Sequence, residues 1–314
     1  MKILSLNVRG FAVEGKFGWV KSICFNERPS IAVFKETKCK NVEEWWVESL
    51  WGNRDFGYVQ KEVVGNSGGL LIVWDTNWFV VSNMMINDYF LAIKGCWKNS
   101  DKETIIVNVY GPHCDSGKRR FWNYLDGLLN NSDTAWVICG DFNEVQDHTD
   151  RLNCAFIQHR ANWFNDFISR NNLIDIPING KKFTRVSGDG VKLSKLDRFL
   201  VSDRFIQLWE DLSTIALDRF LSDHCPLILR DKVIDFGPKP FKIFDEWLFN
   251  DGVDKVIEEA WALPVKGYKL DCKFRDRLKN VKVALKRWSN STYGALDVEI
   301  KALKKEVSVW ELKA

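Results

Sequence analysis

Nine short apolar runs rich in Ile, Val and Leu crowd the first 231 residues of this 314-residue chain: ILSL, SIAVF, GGLLIVW, WFVV, FLAIKGCW, TIIVNVY, WVIC, LDRFLV and CPLIL. Runs of this length bounded by polar residues read as buried strands. In the middle of the segment they follow one another too closely for a helix to fit between each, so the central connections must be antiparallel hairpins. Helical periodicity is confined to other places. Phe17, Val20, Ile23 and Cys24 recur three and four apart, as do Phe121, Tyr124, Leu125 and Leu128, and Trp163, Phe164, Phe167 and Ile168. Those segments predict amphipathic helices covering the outside of packed sheets. The fold class expected is α+β, a layered sandwich.

The strands share a second pattern, an apolar run that ends on a polar residue. KILSL runs into Asn7, SIAVFK into Glu36, TIIVNV into Tyr110 and WVICG into Asp141 and Asn143, while Asp197 opens DRFLV and Ser222-Asp223-His224 precedes CPLIL. Taken singly, a strand-terminal Asp or Asn is a turn residue, and a lone His is a core imidazole. Taken together, six strand ends supply carboxylates, amides, a phenol and one imidazole, and strand ends are where a rigid scaffold presents side chains to a cleft. Hard oxygen ligands suit a hydrated divalent cation such as Mg²⁺, and an Asp with a His is an acid–base pair. This inventory points to phosphate chemistry with a metal.

Composition limits the remaining classes. A chain that is 46% hydrophobic and 28% charged, with a net charge of +3, is globular, and so mild a charge neither demands nor excludes nucleic acid. The basic excess lies in the tail, where residues 232–314 hold 17 Lys and Arg against 13 Asp and Glu. Eight cysteines stand without any C-x-x-C spacing, several inside apolar runs, and are expected to be reduced core thiols. No apolar stretch approaches the ~20 residues of a membrane span, so a soluble intracellular protein is expected. After Asp231 the composition changes: DFGPKPFK, with Pro238 and Pro240, reads as an exit linker, and the charged amphipathic segments beyond it read as helices. The expected division is a catalytic domain over 1–231 and a linker with helical extension over 232–314.

The motifs LSLNVRG, FKETK, VNVYGP, GDFN, SKLDRFLVS and LSDHCPLIL, in this order and at these spacings, resemble those of the endonuclease/exonuclease/phosphatase superfamily. Within it they are most similar to the apurinic-type endonuclease domain of plant long-interspersed-element (non-LTR) retrotransposon polyproteins. The resemblance covers residues 1 to about 231. The tail, with KPFKIFDEWL and LKRWSNSTYG, resembles the segment that precedes the reverse transcriptase of such polyproteins, so a truncated copy or a piece of one is expected.

The resemblance implies a four-layered αββα sandwich of the DNase I-like kind, DNA as partner, a nuclear location, and phosphodiester hydrolysis with Mg²⁺, or Mn²⁺ in its place. It implies that Glu36 is the main metal ligand, with Asn7 beside it and Asp223 in support. Asp141 would activate the attacking water, and Asn143 would hold phosphate and nucleophile in line. Tyr110 would donate to a phosphate oxygen, while Asp197 orients His224 against the phosphate. Asn7, Thr184 and Ser222 would contact substrate. Two departures stand out. Lys35 occupies the place of a Gln and is expected to pair with Glu36 in competition with metal, and Arg185 occupies the place of a Trp after Thr184. Gly68 and Gly69 are expected to serve backbone packing, and the exposure of Trp45 or Trp46 decides whether either is a base-stacking candidate. Rival readings are a phosphatase of the same superfamily acting on a small phosphoester, and a catalytically inactive retroelement remnant. Tyr110, where phosphatases carry a His-containing motif, favours the nuclease.

Overall fold

The computed structural model describes all residues except 64–67, 99, 101–102, 130–133, 210, 232–240, 242, 244, 251, 266–269 and 314. The chain divides into two compact units, Met1–Val233 and Ile234–Lys313. The first half of unit one runs β1 (Lys2–Asn7), α1 (Lys16–Glu27), β2 (Ile31–Lys35), α2 (Glu44–Trp51), β3 (Phe56–Lys61), β4 (Leu70–Asp75), β5 (Phe79–Ile86), β6 (Phe90–Trp97), β7 (Glu103–Tyr110), α3 (Asp115–Leu129) and β8 (Ala135–Asp141). The second half runs β9 (Arg151–Leu152), α4 (Gln158–Arg170), β10 (Leu173–Asp175), β11 (Ile178–Asn179), β12 (Arg185–Val186), β13 (Leu193–Ser194), β14 (Asp197–Ser202), α5 (Asp203–Leu208), β15 (Ser213–Ala216) and β16 (Leu227–Arg230).

The strands form two large sheets, ordered β11-β15-β16-β1-β2-β4-β3 and β10-β14-β8-β7-β6-β5, with a small third sheet β12-β13-β9. As the spacing of the runs requires, β3–β4 and β5–β6–β7 are antiparallel hairpins. Inside each large sheet lies a parallel pair joined by a helix, β1–β2 through α1 and β7–β8 through α3. Parallel strands end at the same rim, and this is what gathers the polar residues. Asn7 is in register with Lys35, and Tyr110 with Asp141.

Alternation along each strand sets the layers. Ile3, Ile31, Val33, Leu70 and Ile72 of the first sheet meet Leu91, Ile93, Ile106, Val137, Cys139 and Phe199 of the second in the central core. On the outer face of the first sheet, Leu4, Leu6, Ala32 and Phe34 pack with Val20, Ile23 and Cys24 of α1 and with Val47 and Leu50 of α2. On the outer face of the second, Ala92, Val107 and Ile138 pack with Phe121, Trp122 and Leu125 of α3 and with Phe164 and Phe167 of α4. The result is a four-layered αββα sandwich. Central strands buried on both faces are the reason their sequences read as continuous apolar runs.

A glycine makes one of the close approaches. A Cβ on Gly69, which has φ 85°, would lie 2.4 Å from Thr37 Oγ1, and the carbonyls of Gly68 and Gly69 accept from the amides of Lys38 and Thr37. This glycine pair holds the segment after Glu36 by backbone contact. The cysteines are all free, and burial pushes the thiols of Cys24 and Cys139 up to about 12.

Unit two consists of α6 (Asp245–Leu248), α7 (Val253–Ala262) and α8 (Leu270–Lys313). Trp261 meets Phe274 edge-on with ring centroids 5.8 Å apart, and Trp288 meets Tyr293 in the same way. Pro238 and Pro240 of the expected linker lie outside the described residues. Among the described residues no helix is long and apolar enough to cross a membrane.

Candidate active site

At the rim where the parallel pairs end, a connected set of polar side chains bridges the two sheets. Asn7 closes β1 with its side chain buried. Its Nδ2 donates to Glu36 Oε1 at 2.9 Å, and also to Asp141 Oδ2 at 3.0 Å on the opposite sheet. Glu36 Oε1 accepts a second hydrogen bond, from the Tyr110 hydroxyl at 3.0 Å. Burial, reinforced by the Glu36 and Asp141 carboxylates, pushes the Tyr110 phenol well above its ordinary range, so it is a donor at any ordinary pH.

A second line of groups meets the first at Asp141. His224 Nδ1 lies 2.7 Å from Asp197 Oδ2, and its Nε2 lies 3.6 Å from Asp141 Oδ2. All three side chains are buried, and their ligand atoms fall within 4.8 Å of one another. Burial alone would hold His224 neutral. The carboxylates of Asp197, Asp141 and Asp223 outweigh it and raise the imidazole to about 9, so the ring is a cation at neutral pH. Asp141 is likewise pushed upward from its usual range, chiefly because it is buried and with Asp197 adding to the shift, although the His224 cation opposes it. A carboxylate whose affinity for a proton has been raised in this way suits a general base.

Backbone geometry fixes these groups. Glu36 and Asn143 both adopt the left-handed conformation, with φ 49° each. That conformation is costly for Glu, and the surrounding bonds hold it. Asn143 donates its amide to Asp141 Oδ1 at 2.9 Å and its Nδ2 to the Gly111 carbonyl at 2.7 Å. Its own carbonyl accepts from Lys118 Nζ at 2.8 Å, and the buried Lys118 is ion-paired to Glu144. The Asp-Phe-Asn turn is thereby tied to α3 from behind. Gly140, just before it, has φ 150°, and a Cβ there would sit 2.1 Å from the Val109 carbonyl.

Several expected residues take up other positions. Thr184 is fully buried behind Asp197, and its Oγ1 accepts from the amides of Leu196 and Asp197, both at 3.0 Å. It braces the strand that carries Asp197, and with no exposed surface it offers nothing for a substrate to touch. Ser222 Oγ donates to the Asn7 carbonyl at 2.7 Å and accepts from the His224 amide at 3.2 Å, joining β1 to the His224 loop. Asn7 Oδ1 accepts from the Arg9 amide at 3.1 Å, so its nitrogen, not its oxygen, faces Glu36. In that orientation its metal-ligating lone pairs point away from the carboxylates. Asp223 Oδ2 accepts from Arg9 Nη1 at 2.8 Å and Arg185 Nε at 3.3 Å, while its Oδ1 is buried with no hydrogen-bond partner among the described residues.

Lys35 corrects an expectation. It does not pair with Glu36. Lying on the inward face of β2, it is fully buried between the sheets, where its Nζ donates to Ser5 Oγ and burial lowers its pKa. The cation beside Glu36 is Lys38, whose Nζ is 3.9 Å from Oε2. Trp46 packs against Phe11 and Phe17, whereas Trp45 is 65% exposed and donates to Glu43. Sequence reasoning missed Arg9 and Lys118, the first because it sits in a loop and the second because a lysine on an amphipathic helix reads as solvated.

Residues 4–224 match the endonuclease/exonuclease/phosphatase family. No curated protein sequence matches the chain. Similar solved structures include a 3′-5′ exonuclease from Neisseria meningitidis (TM-score 0.59, 18% identity, covering 74% of this chain and 100% of that one). Another is an AP endonuclease from Leishmania major (TM-score 0.57, 17% identity, 73% and 86%). A third is the endonuclease domain of TRAS1, a telomere-specific non-LTR retrotransposon (TM-score 0.54, 12% identity, 74% and 98%). At these identities the structures share the fold with this chain. The family match spans most of the chain, from the strand that ends on Asn7 to His224 itself, and by it this protein belongs to the endonuclease/exonuclease/phosphatase family.

Proposed function

We propose that the chain is a Mg²⁺-dependent phosphodiester hydrolase that nicks DNA, leaving 3′-hydroxyl and 5′-phosphate ends, in the manner of a retrotransposon endonuclease. The observation that carries the reading is the buried Asp197–His224–Asp141 line meeting the Asn7–Glu36–Tyr110 set at one rim. That arrangement supplies a base, a cation and a neutral donor side by side.

The donor set fits a hard divalent cation. Among the described residues Asp223 Oδ1 is buried without a hydrogen-bond partner, and Glu36 Oε2 lies 3.9 Å from the Lys38 ammonium. Glu36 and Asp223 would therefore hold the ion, with water filling the remaining positions as Mg²⁺ prefers, and Mn²⁺ could substitute. Bound there, it supplies charge neutralisation at the phosphoryl and leaving oxygens. Asp141 takes the proton of the attacking water. Asn143 keeps one N–H and its oxygen for aligning water and phosphate, since the Gly111 carbonyl uses the other N–H. Protonated His224, held by Asp197, donates to a non-bridging oxygen where charge develops, and Tyr110 donates to another.

The test is conversion of supercoiled plasmid to the nicked form by purified protein with and without Mg²⁺, with ligase reading the ends. Asp141→Asn should lose nicking on the order of a thousandfold or more, since an amide cannot accept the water's proton. Release of phosphate from inositol polyphosphates without plasmid nicking would make the chain a phosphatase of the same family. Inactivity on both substrates with Mg²⁺ or Mn²⁺ would make it a relic.

A further inference from the structure

We infer that Arg9 and Arg185 form a clamp for a DNA backbone phosphate neighbouring the reacting one, pre-set by the carboxylate of Asp223; the inference rests on the DNA-nicking reading above. Arg9 lies in the loop after β1 and Arg185 opens β12, and they meet at one atom. Arg9 Nη1 and Arg185 Nε donate to the same Asp223 oxygen, at 2.8 and 3.3 Å. Bringing two guanidinium groups together is unfavourable, and exposed ion pairs of this sort contribute little to stability. Their side chains are 48% and 40% exposed. Arg9 holds a left-handed backbone, φ 51°, a conformation a long side chain rarely adopts. An arrangement that is locally costly, weakly stabilising and open to solvent calls for a ligand.

The chemistry of that ligand follows from what remains unused. A guanidinium has five N–H donors in a planar fork, and Asp223 takes one from each arginine. The remainder match the oxygens of a phosphodiester, for which arginine forks are well shaped. The clamp adjoins the reacting centre without being part of it. Arg185 forms a β-bridge with His224, whose Nε2 is 4.0 Å from the other Asp223 oxygen. One carboxylate thus separates the arginines from the imidazole proposed to touch the reacting phosphate. It also explains why the position after Thr184 tolerates Arg where the family resemblance leads one to expect Trp: the side chain there meets the sugar–phosphate backbone by charge.

Binding of a short labelled duplex, followed by fluorescence anisotropy in EDTA over a salt series, tests the clamp without requiring catalysis. Arg9→Asn removes the charge while suiting the left-handed backbone, and Arg185→Gln removes the other charge. Each should weaken binding roughly tenfold at low salt and lower the slope of log K against log salt by about one. Arg9→Lys should keep the slope. With Mg²⁺, KM for nicking should rise in the charge-removing variants while kcat stays within about threefold, a split that a merely structural role would not give. Unchanged slopes in natively folded Arg9→Asn and Arg185→Gln overturn the clamp. A wild-type chain that nicks nothing overturns the nuclease reading and leaves the salt slope to decide the clamp, whereas no duplex binding at all overturns both.

Discussion

Replacing Asp197 with Asn should remove the positive charge of His224 at neutral pH. In the folded protein the imidazole titrates at about 9 against an ordinary value of 6.5. At 1.36 kcal/mol per pH unit this is a preference for the protonated ring of about 3 kcal/mol. Burial opposes it, and Asp197, 2.7 Å from Nδ1, is the strongest of the carboxylates that overcome burial. Without that charge the burial penalty prevails, and the ring should titrate at or below 6.5. The sign for stability follows from the raised folded value. The contribution is complete below pH 6.5 and is lost as pH rises through 9, so wild-type unfolding free energy should fall by about 3 kcal/mol over that interval on account of this group, and the variant should lack the fall. Of the chain's four histidines His224 is the buried one, so imidazole NMR should show its ring as slowly exchanging, with a high titration that is lost in Asp197→Asn. Nicking at pH 7.5 should drop by roughly a hundredfold or more, as for loss of a protonated donor. A wild-type His224 that titrates near 6.5, or a variant ring that still titrates near 9, would refute this account of the charge.

Other perturbations separate the parts of the site. Glu36→Gln should lower Mg²⁺ affinity at least tenfold by calorimetry with an unchanged melting curve, since the side chain is nearly isosteric; unchanged affinity would move the ion elsewhere. Thr184→Val leaves two buried amides without their acceptor and should cost about 2–4 kcal/mol in urea unfolding, with Thr184→Ser restoring most of it; a neutral Val variant would deny Thr184 its bracing role. A chain ending at Lys232 should melt cooperatively and retain nicking, and an insoluble product would mean that the tail completes the catalytic unit.

The sandwich was legible because its central strands are buried on both faces and carry unbroken apolar runs. It was less legible where burial is partial. β3, FGYVQK, is half-buried along its whole length and has no apolar run, and the two- and four-residue strands β9, β12 and β15 are too short for any period to register. The polar ends of strands identified Asn7, Glu36, Tyr110, Asp141, Asn143, Asp197 and His224 as candidates, and parallel pairing explains why they meet at one rim. Direction and orientation were out of reach. Whether Lys35 points toward Glu36 or into the inter-sheet core depends on the pleat, and whether Asn7 offers nitrogen or oxygen depends on the Arg9 amide. The Arg9–Asp223–Arg185 contact joins loops distant in sequence, and no local pattern encodes it.

The pairing of β1 with β16 has a consequence for synthesis. β1 leaves the ribosome before the other strands of its unit, yet one of its two partners in the sheet is the strand Leu227–Arg230, so one edge of β1 waits unpaired until nearly the whole unit has been made. Closing so long a loop is entropically slow, and an open apolar edge invites pairing with other nascent chains. His224 emerges just ahead of the strand that ends this wait. A chain halted before that point holds Asn7, Glu36 and Asp141 but neither the imidazole nor the strand that seals the sheet, so the polar site and the sheet are completed at the same stage of synthesis.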